Sequence, residues 1–222
     1  MYILNLETST KNCSVALSKN GIVIAERDLA AEGYSHAELL HVYIQEVLAQ
    51  AKIKTSDLVA VAVGQGPGSY TGLRIGVSAA KGLCFAADIP LIFISSLQNL
   101  ASQIEIKNGF VIPMIDARRM EVYSTIFDEK LNIFRKTEAQ ILDQNSFENI
   151  DNQIYIVGDC QEKVKIVLTD SKFIFHENIK YPTATAMSKI SHQKFQTKEF
   201  EDLAYCEPLY LKDFLVLEKI KK

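Results

Sequence analysis

Apolar residues along the chain fall in short runs that end in carboxylates or turn residues, and the series is written twice. Tyr2-Ile3-Leu4-Asn5-Leu6-Glu7 reads as a strand closing on a carboxylate, and Cys13-Ser14-Val15-Ala16-Leu17-Ser18 as a second strand after a polar turn. Lys19-Asn20-Gly21 is a hairpin turn of the Asn-Gly kind, so Ile22-Val23-Ile24-Ala25 returns as a third strand. About 109 residues further on the order recurs. Phe110-Val111-Ile112-Pro113-Met114-Ile115-Asp116 again ends on a carboxylate, strands follow near 121–127 and 131–135, and Asp128-Glu129-Lys130 is the turn between them. Glu7 and Asp116 thus hold the same place in the two copies.

Each meander gives way to alternating strands and helices. Ser35-His36-Ala37-Glu38 has the form of a capping box, with Tyr34 and Leu39 placed as a hydrophobic staple. Leu40, Tyr43 or Ile44, Val47, Leu48 and Ala51 then make an apolar stripe at helical spacing. Leu39, Val42 and Tyr43 widen it beyond what packing on one sheet requires. A strand at 58–63, a helix at 71–87, a strand at 91–94 and a helix from Ser96 complete the first copy. In the second copy the pattern predicts strands near 153–157 and 173–175 and helices near 160–168, 183–195 and 212–220. Meander, then strand–helix–strand–helix, given twice, is the order of a tandem actin-like (ASKHA, ribonuclease-H-like) α/β fold, each subdomain a mixed sheet flanked by helices. The expected subdomains are 1–105 and 106–222.

The segment Gly64-Gln65-Gly66-Pro67-Gly68-Ser69-Tyr70-Thr71-Gly72 is the most distinctive. Its glycines clear the space above a strand end, where open α/β sheets place their ligands. It matches neither standard phosphate fingerprint: Gly72 is followed by Leu73 rather than Lys, and Ser69 stands where a dinucleotide loop has its third glycine. Helix amides here would still favour an anion, so Gly66, Gly68 and Ser69 are candidate nucleotide contacts; the alternative is a tight strand-to-helix turn. From 71 to 87 the only charges are Arg74 and Lys81. A helix without a solvated face is covered on more than one side, by a second element or a second protein.

Charge supports a covered first half. Residues 1–105 hold 16 charged side chains and residues 106–222 hold 35. The net charge is −3 with five arginines, unlike a protein that grips nucleic acid alone. No apolar run reaches the roughly 20 residues of a membrane span, and the start lacks the features of a secretion signal. Cys13, Cys84, Cys160 and Cys206 are scattered, as free thiols in a cytoplasmic protein are. Glu7 and Asp116 could face each other across a metal–nucleotide, or each could cap its own turn. The glycine expected two residues after such a carboxylate in phosphotransferases is missing from Glu7-Thr8-Ser9 and Asp116-Ala117-Arg118. His36 and His41 do not share a helix face, and no histidine has neighbours that read as metal ligands. Ser69 has no nearby base. No catalytic residue and no metal site is expected.

Taken together these segments resemble the TsaB (YeaZ) family over the whole length. The carrying segments are 3–9 (with Glu7 for the family's Asp), 34–40, Gly66 to Gly76, Ala80-Lys81-Gly82-Leu83, Asp116 to Tyr123, and Glu207-Pro208-Leu209-Tyr210-Leu211-Lys212. The resemblance implies a non-catalytic scaffold for threonylcarbamoyl transfer to N6 of the adenosine beside the anticodon of tRNA. Its implied partners are the catalytic subunit TsaD and the ATPase TsaE, with tRNA reached only through the complex and a homodimer when the chain is alone. TsaD carries two metal-binding histidines four apart where this chain has Ile94-Ser95-Ser96-Leu97-Gln98-Asn99-Leu100-Ala101, without histidine. Helices 35–51 and 71–87 are the expected interface, through Leu39, Leu40, Tyr43, Val47, Gly72, Leu73, Gly76, Val77, Ala80 and Cys84. ATP or ADP is expected near the subunit junction at Glu7, Gly66, Gly68, Ser69 and Asp116. The rival reading is an active enzyme of the same fold, a glycoprotease-like peptidase or a small-molecule kinase.

Overall fold

The computed structural model describes residues 1–30 and 36–212. The Tyr34 staple, the Ser35 cap and the helix expected over 212–220 lie outside the described residues. Two five-stranded sheets are built in chain order. The first contains β1 (Tyr2–Glu7), β2 (Asn12–Lys19), β3 (Ile22–Ala30), β4 (Leu58–Gly66) and β5 (Leu91–Ser95), arranged β3-β2-β1-β4-β5. The second contains β6 (Phe110–Asp116), β7 (Glu121–Phe127), β8 (Ile133–Ile141), β9 (Ile154–Gly158) and β10 (Phe173–Phe175), arranged β10-β9-β6-β7-β8. In both, the first three strands are antiparallel and the last two run parallel to the first. The sheets are therefore two copies of one topology, the tandem actin-like α/β fold. Glu7 and Asp116 are the final residues of the equivalent strands β1 and β6.

The helices are α1 (His36–Ala51), α2 (Tyr70–Ala87), α3 (Ser96–Ala101), α4 (Gln161–Val164) and α5 (Ala184–Gln196). The second copy is reduced. Turns replace a helix between β8 and β9, and the helix expected over 160–168 is the single turn α4. On one face of the first sheet, Leu40, Ile44 and Val47 of α1 and Val77, Ala80 and Cys84 of α2 pack on Leu4, Leu6, Val61 and Val63.

The other face is covered from the far end of the chain. Met187 and Ile190 of α5 pack on Ile3, Ala60, Ala62, Ile92 and Ile94 of the first sheet. Conversely, Leu97, Leu100 and Ala101 of α3 pack on Val111, Ile115, Phe127 and Val157 of the second. Each half thus lends a helix to the sheet of the other. Buried polar bonds fix the approach to α5: Asn12 Nδ2 donates to Pro182 O, Gln103 Nε2 to Tyr181 O, and Ala184 N to Ser14 Oγ.

Candidate functional site

The place above the ends of β1 and β4 is built from the turn after β1. Glu7 is fully buried; its Oε1 accepts from Ser9 N at 2.8 Å and its Oε2 from Asn99 Nδ2 at 3.3 Å. Asn99, on α3, also donates to Thr183 O and accepts from Thr183 N, so one amide joins the carboxylate to the start of α5. A Cβ on Gly64 would stand 2.6 Å from both Glu7 oxygens, so any larger residue there has to displace that carboxylate. Burial pushes the Glu7 carboxyl above its ordinary range, against the opposing pull of its bonds to Ser9, Thr8 and Asn99. Glu7 is a sealed anchor for its own turn.

The same turn plugs the N-terminus of α2. Thr8, Ser9 and Thr10 are buried. Ser69 N donates to Ser9 O at 2.6 Å, Thr8 Oγ1 donates to Gly72 O at 2.8 Å, and Ser69 caps the helix by accepting from Gly72 N. A Cβ on Gly68 would meet Ser9 O at 2.1 Å, on Gly72 Thr8 O at 2.1 Å, and on Gly76 Thr8 Oγ1 at 2.3 Å. His36 completes the enclosure with Nε2 2.8 Å from Thr10 O. The Ser69 and Gly72 amides, two of those that would face a phosphate, thus serve the chain itself, and Glu7, Gly68 and Ser69 are brought together around the turn of residues 7–10. Gly64 and Gly66, expected in a loop, belong to β4, with Gly66 at φ +109° where the strand turns away.

Most of the expected interface residues lie on the inward sides of α1 and α2. Leu40, Val47, Leu73, Val77, Ala80 and Cys84 are buried in the chain's own core, and Leu39 and Tyr43 pack against it. Gly72 and Gly76 make room for Thr8. The apolar periodicity was correctly helical, but a helix apolar nearly all round does not say which side faces the sheet. What α2 shows outward is Thr71, Arg74, Ser78, Gly82, Phe85 and Ala86, with Phe85 82% exposed.

The two charges of α2 hold a second cover. Arg74 Nε donates to Tyr210 Oη at 3.2 Å, with its guanidinium 4.0 Å from the Tyr70 ring centre. Lys81 Nζ donates to Cys206 O at 3.1 Å, and Leu209 N to Gln65 O at 2.9 Å. Lys212 then pairs with Glu121 of β7. Residues 204–212 therefore strap α2 and the end of β4 to the second sheet.

Asp116 stands apart from Glu7. It is exposed, accepts from Arg118 N at 2.9 Å and pairs with Lys163, whose ammonium also donates to Arg119 O and Glu121 O. Asp116 N donates to Asp159 Oδ1. Burial, with the charge of Asp116 adding to it, pushes the Asp159 carboxyl up to about 6. Nothing in the sequence singles out Asn99, Asp159 and Lys163, since an isolated polar residue on a short helix or in a turn carries no periodic signal. Among the described residues no group of three or more His, Cys, Asp or Glu is arranged to hold a metal, and no helix is long and apolar enough to cross a membrane.

Comparison with known proteins places this arrangement. The chain is 30% identical to the tRNA threonylcarbamoyladenosine biosynthesis protein TsaB of Escherichia coli over 99% of its own length and 98% of that protein's. The chain belongs to the TsaB (YeaZ) family. A family model described as TsaD: tRNA N6-adenosine threonylcarbamoyltransferase also matches, over residues 30–213. In three dimensions the chain is similar to YeaZ from Pseudomonas aeruginosa, with TM-score 0.83 and 25% identity, covering 95% of this chain and 99% of that one. It is also 28% identical to a tRNA N6-adenosine threonylcarbamoyltransferase of Pediococcus pentosaceus over 86% of this chain but 54% of the longer protein. The TsaB family and the transferase thus share sequence along most of this chain.

Proposed function

We propose that the chain takes part in tRNA threonylcarbamoyladenosine biosynthesis as a non-catalytic subunit that binds and activates a TsaD-type transferase in the cytoplasm, with a TsaE-type ATPase. The observation that carries this reading is the self-filled strand-end space. Where the fold offers a ligand place, residues 8–10 occupy it, Glu7 is sealed, and α3 presents Asn99 within a segment free of histidine. The likeness to both TsaB and the transferase supports a partner of related fold, which can meet α1 and α2 with its own equivalent helices; two copies of this chain can meet the same way. The contact then lies on the outward faces, at Val42 of α1 and Phe85 of α2, 45% and 82% exposed. The peptidase and kinase readings lack a nucleophile–base pair and an open carboxylate pair among the described residues.

The test is Phe85→Glu. The chain should fold as before and fail to assemble with the transferase of its own organism, and tRNA modification by the reconstituted set should fall with assembly. Normal modification by a Phe85→Glu protein would sink the interface. A full modification reaction with this chain left out would sink the function. Val77→Glu is not a clean test, because Val77 is 4% exposed in the chain's own core and a charge there unfolds the protein.

A further inference from the structure

The chain has five arginines, and three are engaged internally. Arg27 pairs with Glu46, Arg74 donates to Tyr210, and Arg135 pairs with Glu138 and donates to Ser124. The other two, Arg118 and Arg119, are adjacent, and neither guanidinium has a carboxylate or hydrogen-bond partner among the described residues. They sit in the loop between β6 and β7 with φ of 73° and 51°, the left-handed region that long side chains avoid. The loop is nevertheless fixed. Ala117 N donates to Glu121 O, Glu121 N to Arg118 O, Arg118 N to Asp116 Oδ1, and the Lys163 ammonium grips the carbonyls of Arg119 and Glu121. Of the carboxylates at its base, Asp116 is matched by Lys163 and Glu121 by Lys212, while Asp159 accepts from the Asp116 amide. Two exposed positive forks are thus held out on a fixed support, and even with Asp159 counted the loop and its base keep an excess of positive charge. Strain of this kind persists where the surroundings over-determine it.

We propose that the Arg118-Arg119 loop is a phosphate-contacting element. Guanidinium forks match the paired oxygens of a phosphate, and the two would add contacts to RNA held mainly by a partner. The assignment of RNA as the source of that phosphate rests on the tRNA-modification reading above; a nucleotide is the other source. Two contacts suit a chain with net charge −3, which supplements a grip rather than making one.

The test compares the full-length wild type with R118N/R119G, which places residues suited to left-handed backbone in the loop, and with R118K/R119K. Each is mixed with the transferase of its own organism, assembly is checked by gel filtration, and binding of fluorescein-labelled tRNA and of a fluorescent ATP analogue is measured at about 50 and 200 mM salt. Each chain is also measured alone. R118N/R119G should melt about 2–4 °C higher, because the left-handed cost is relieved. Its tRNA affinity should be lower, and wild-type affinity should fall about tenfold further than the variant's between the two salt concentrations, as expected for two phosphate contacts. R118K/R119K should recover part of the salt dependence. Loss of ATP-analogue binding with tRNA binding intact assigns the same element to a nucleotide phosphate. Unchanged binding of both probes, or weaker tRNA binding with an unchanged salt slope, overturns the proposal. A pair that fails to assemble bears on the interface reading; the element is then judged by ATP-analogue binding to the chain alone, where equal affinity and equal salt slope for wild type and R118N/R119G overturn the proposal.

Discussion

Arg74 on α2 and Tyr210 near the far end of the chain are joined by a 3.2 Å hydrogen bond across 136 residues of sequence. Together with Lys81 and the Cys206 carbonyl it ties the closing segment down on the helix that leads from β4. Replacing Arg74 with Ala should speed hydrogen exchange at the Leu209 amide, which donates to Gln65 O, while amides inside β1 and β4 keep their protection. Equal acceleration in the core strands would mean that the strap is not a separate unit.

The glycines of α2 should respond in opposite directions. Gly72→Ala puts a Cβ 2.1 Å from the Thr8 carbonyl and should cost several kcal/mol, because backbone must move. Gly82→Ala meets nothing within 4 Å and should stabilise by about 0.5–1 kcal/mol through helix propensity. Denaturant titrations of the two variants decide the point.

Asp159 should give the fold a pH dependence of definite sign. Its carboxyl is pushed from 3.8 up to about 6, so the folded state holds the proton more tightly than the unfolded chain. That contribution is full below about pH 4 and is lost as pH rises toward 6. Asp159→Asn keeps an acceptor for Asp116 N and should stabilise at pH 7 by on the order of 2 kcal/mol, with the advantage gone at pH 4. Chemical unfolding at the two pH values reads this directly.

His36 acts in the opposite sense. Burial holds its imidazole below the ordinary 6.5, with the bond to Thr10 opposing. The unfolded chain therefore takes up the proton first, and stability falls as pH drops from about 6.5 toward the folded value. His36→Gln should flatten that limb of the stability profile.

Fragments 1–105 and 106–222 should each fail to fold alone. Separated, the first loses α5 from its sheet and the second loses α3, leaving Ile92, Ile94, Val111 and Val157 uncovered. Circular dichroism of the two pieces, apart and mixed, should show structure regained only on mixing.

Much of this fold was legible because apolar runs end on Glu7 and Asp116 and because Asn20-Gly21 turns the first hairpin. The limits came from local signals that tertiary pairing overrides. Glycines 64 and 66 look like a loop, yet β4 continues through them because Gly64 pairs with Ile94 and Gly66 with Ser95. The polar stretch after Arg135 hid the rest of β8, an edge strand whose alternate side chains face solvent. Inward and outward faces of α2 could not be told apart when glycine, alanine and apolar residues surround the helix. Its two charges were the usable clue, and they mark the strap rather than a water-facing side. Asn99 had no legible role, because its partners Glu7 and Thr183 are 92 and 84 residues away.

The exchange of α3 and α5 sets an order of events on the ribosome. The first sheet is complete in sequence at Ser95, but the helix that covers its second face ends at Gln196. At about 5–20 residues per second the wait is on the order of 5–20 s. During it the Ile3, Ile92 and Ile94 side has no cover of its own, so the N-terminal half finishes last although it is made first, and nascent chains stalled before Gln196 should be held by chaperones.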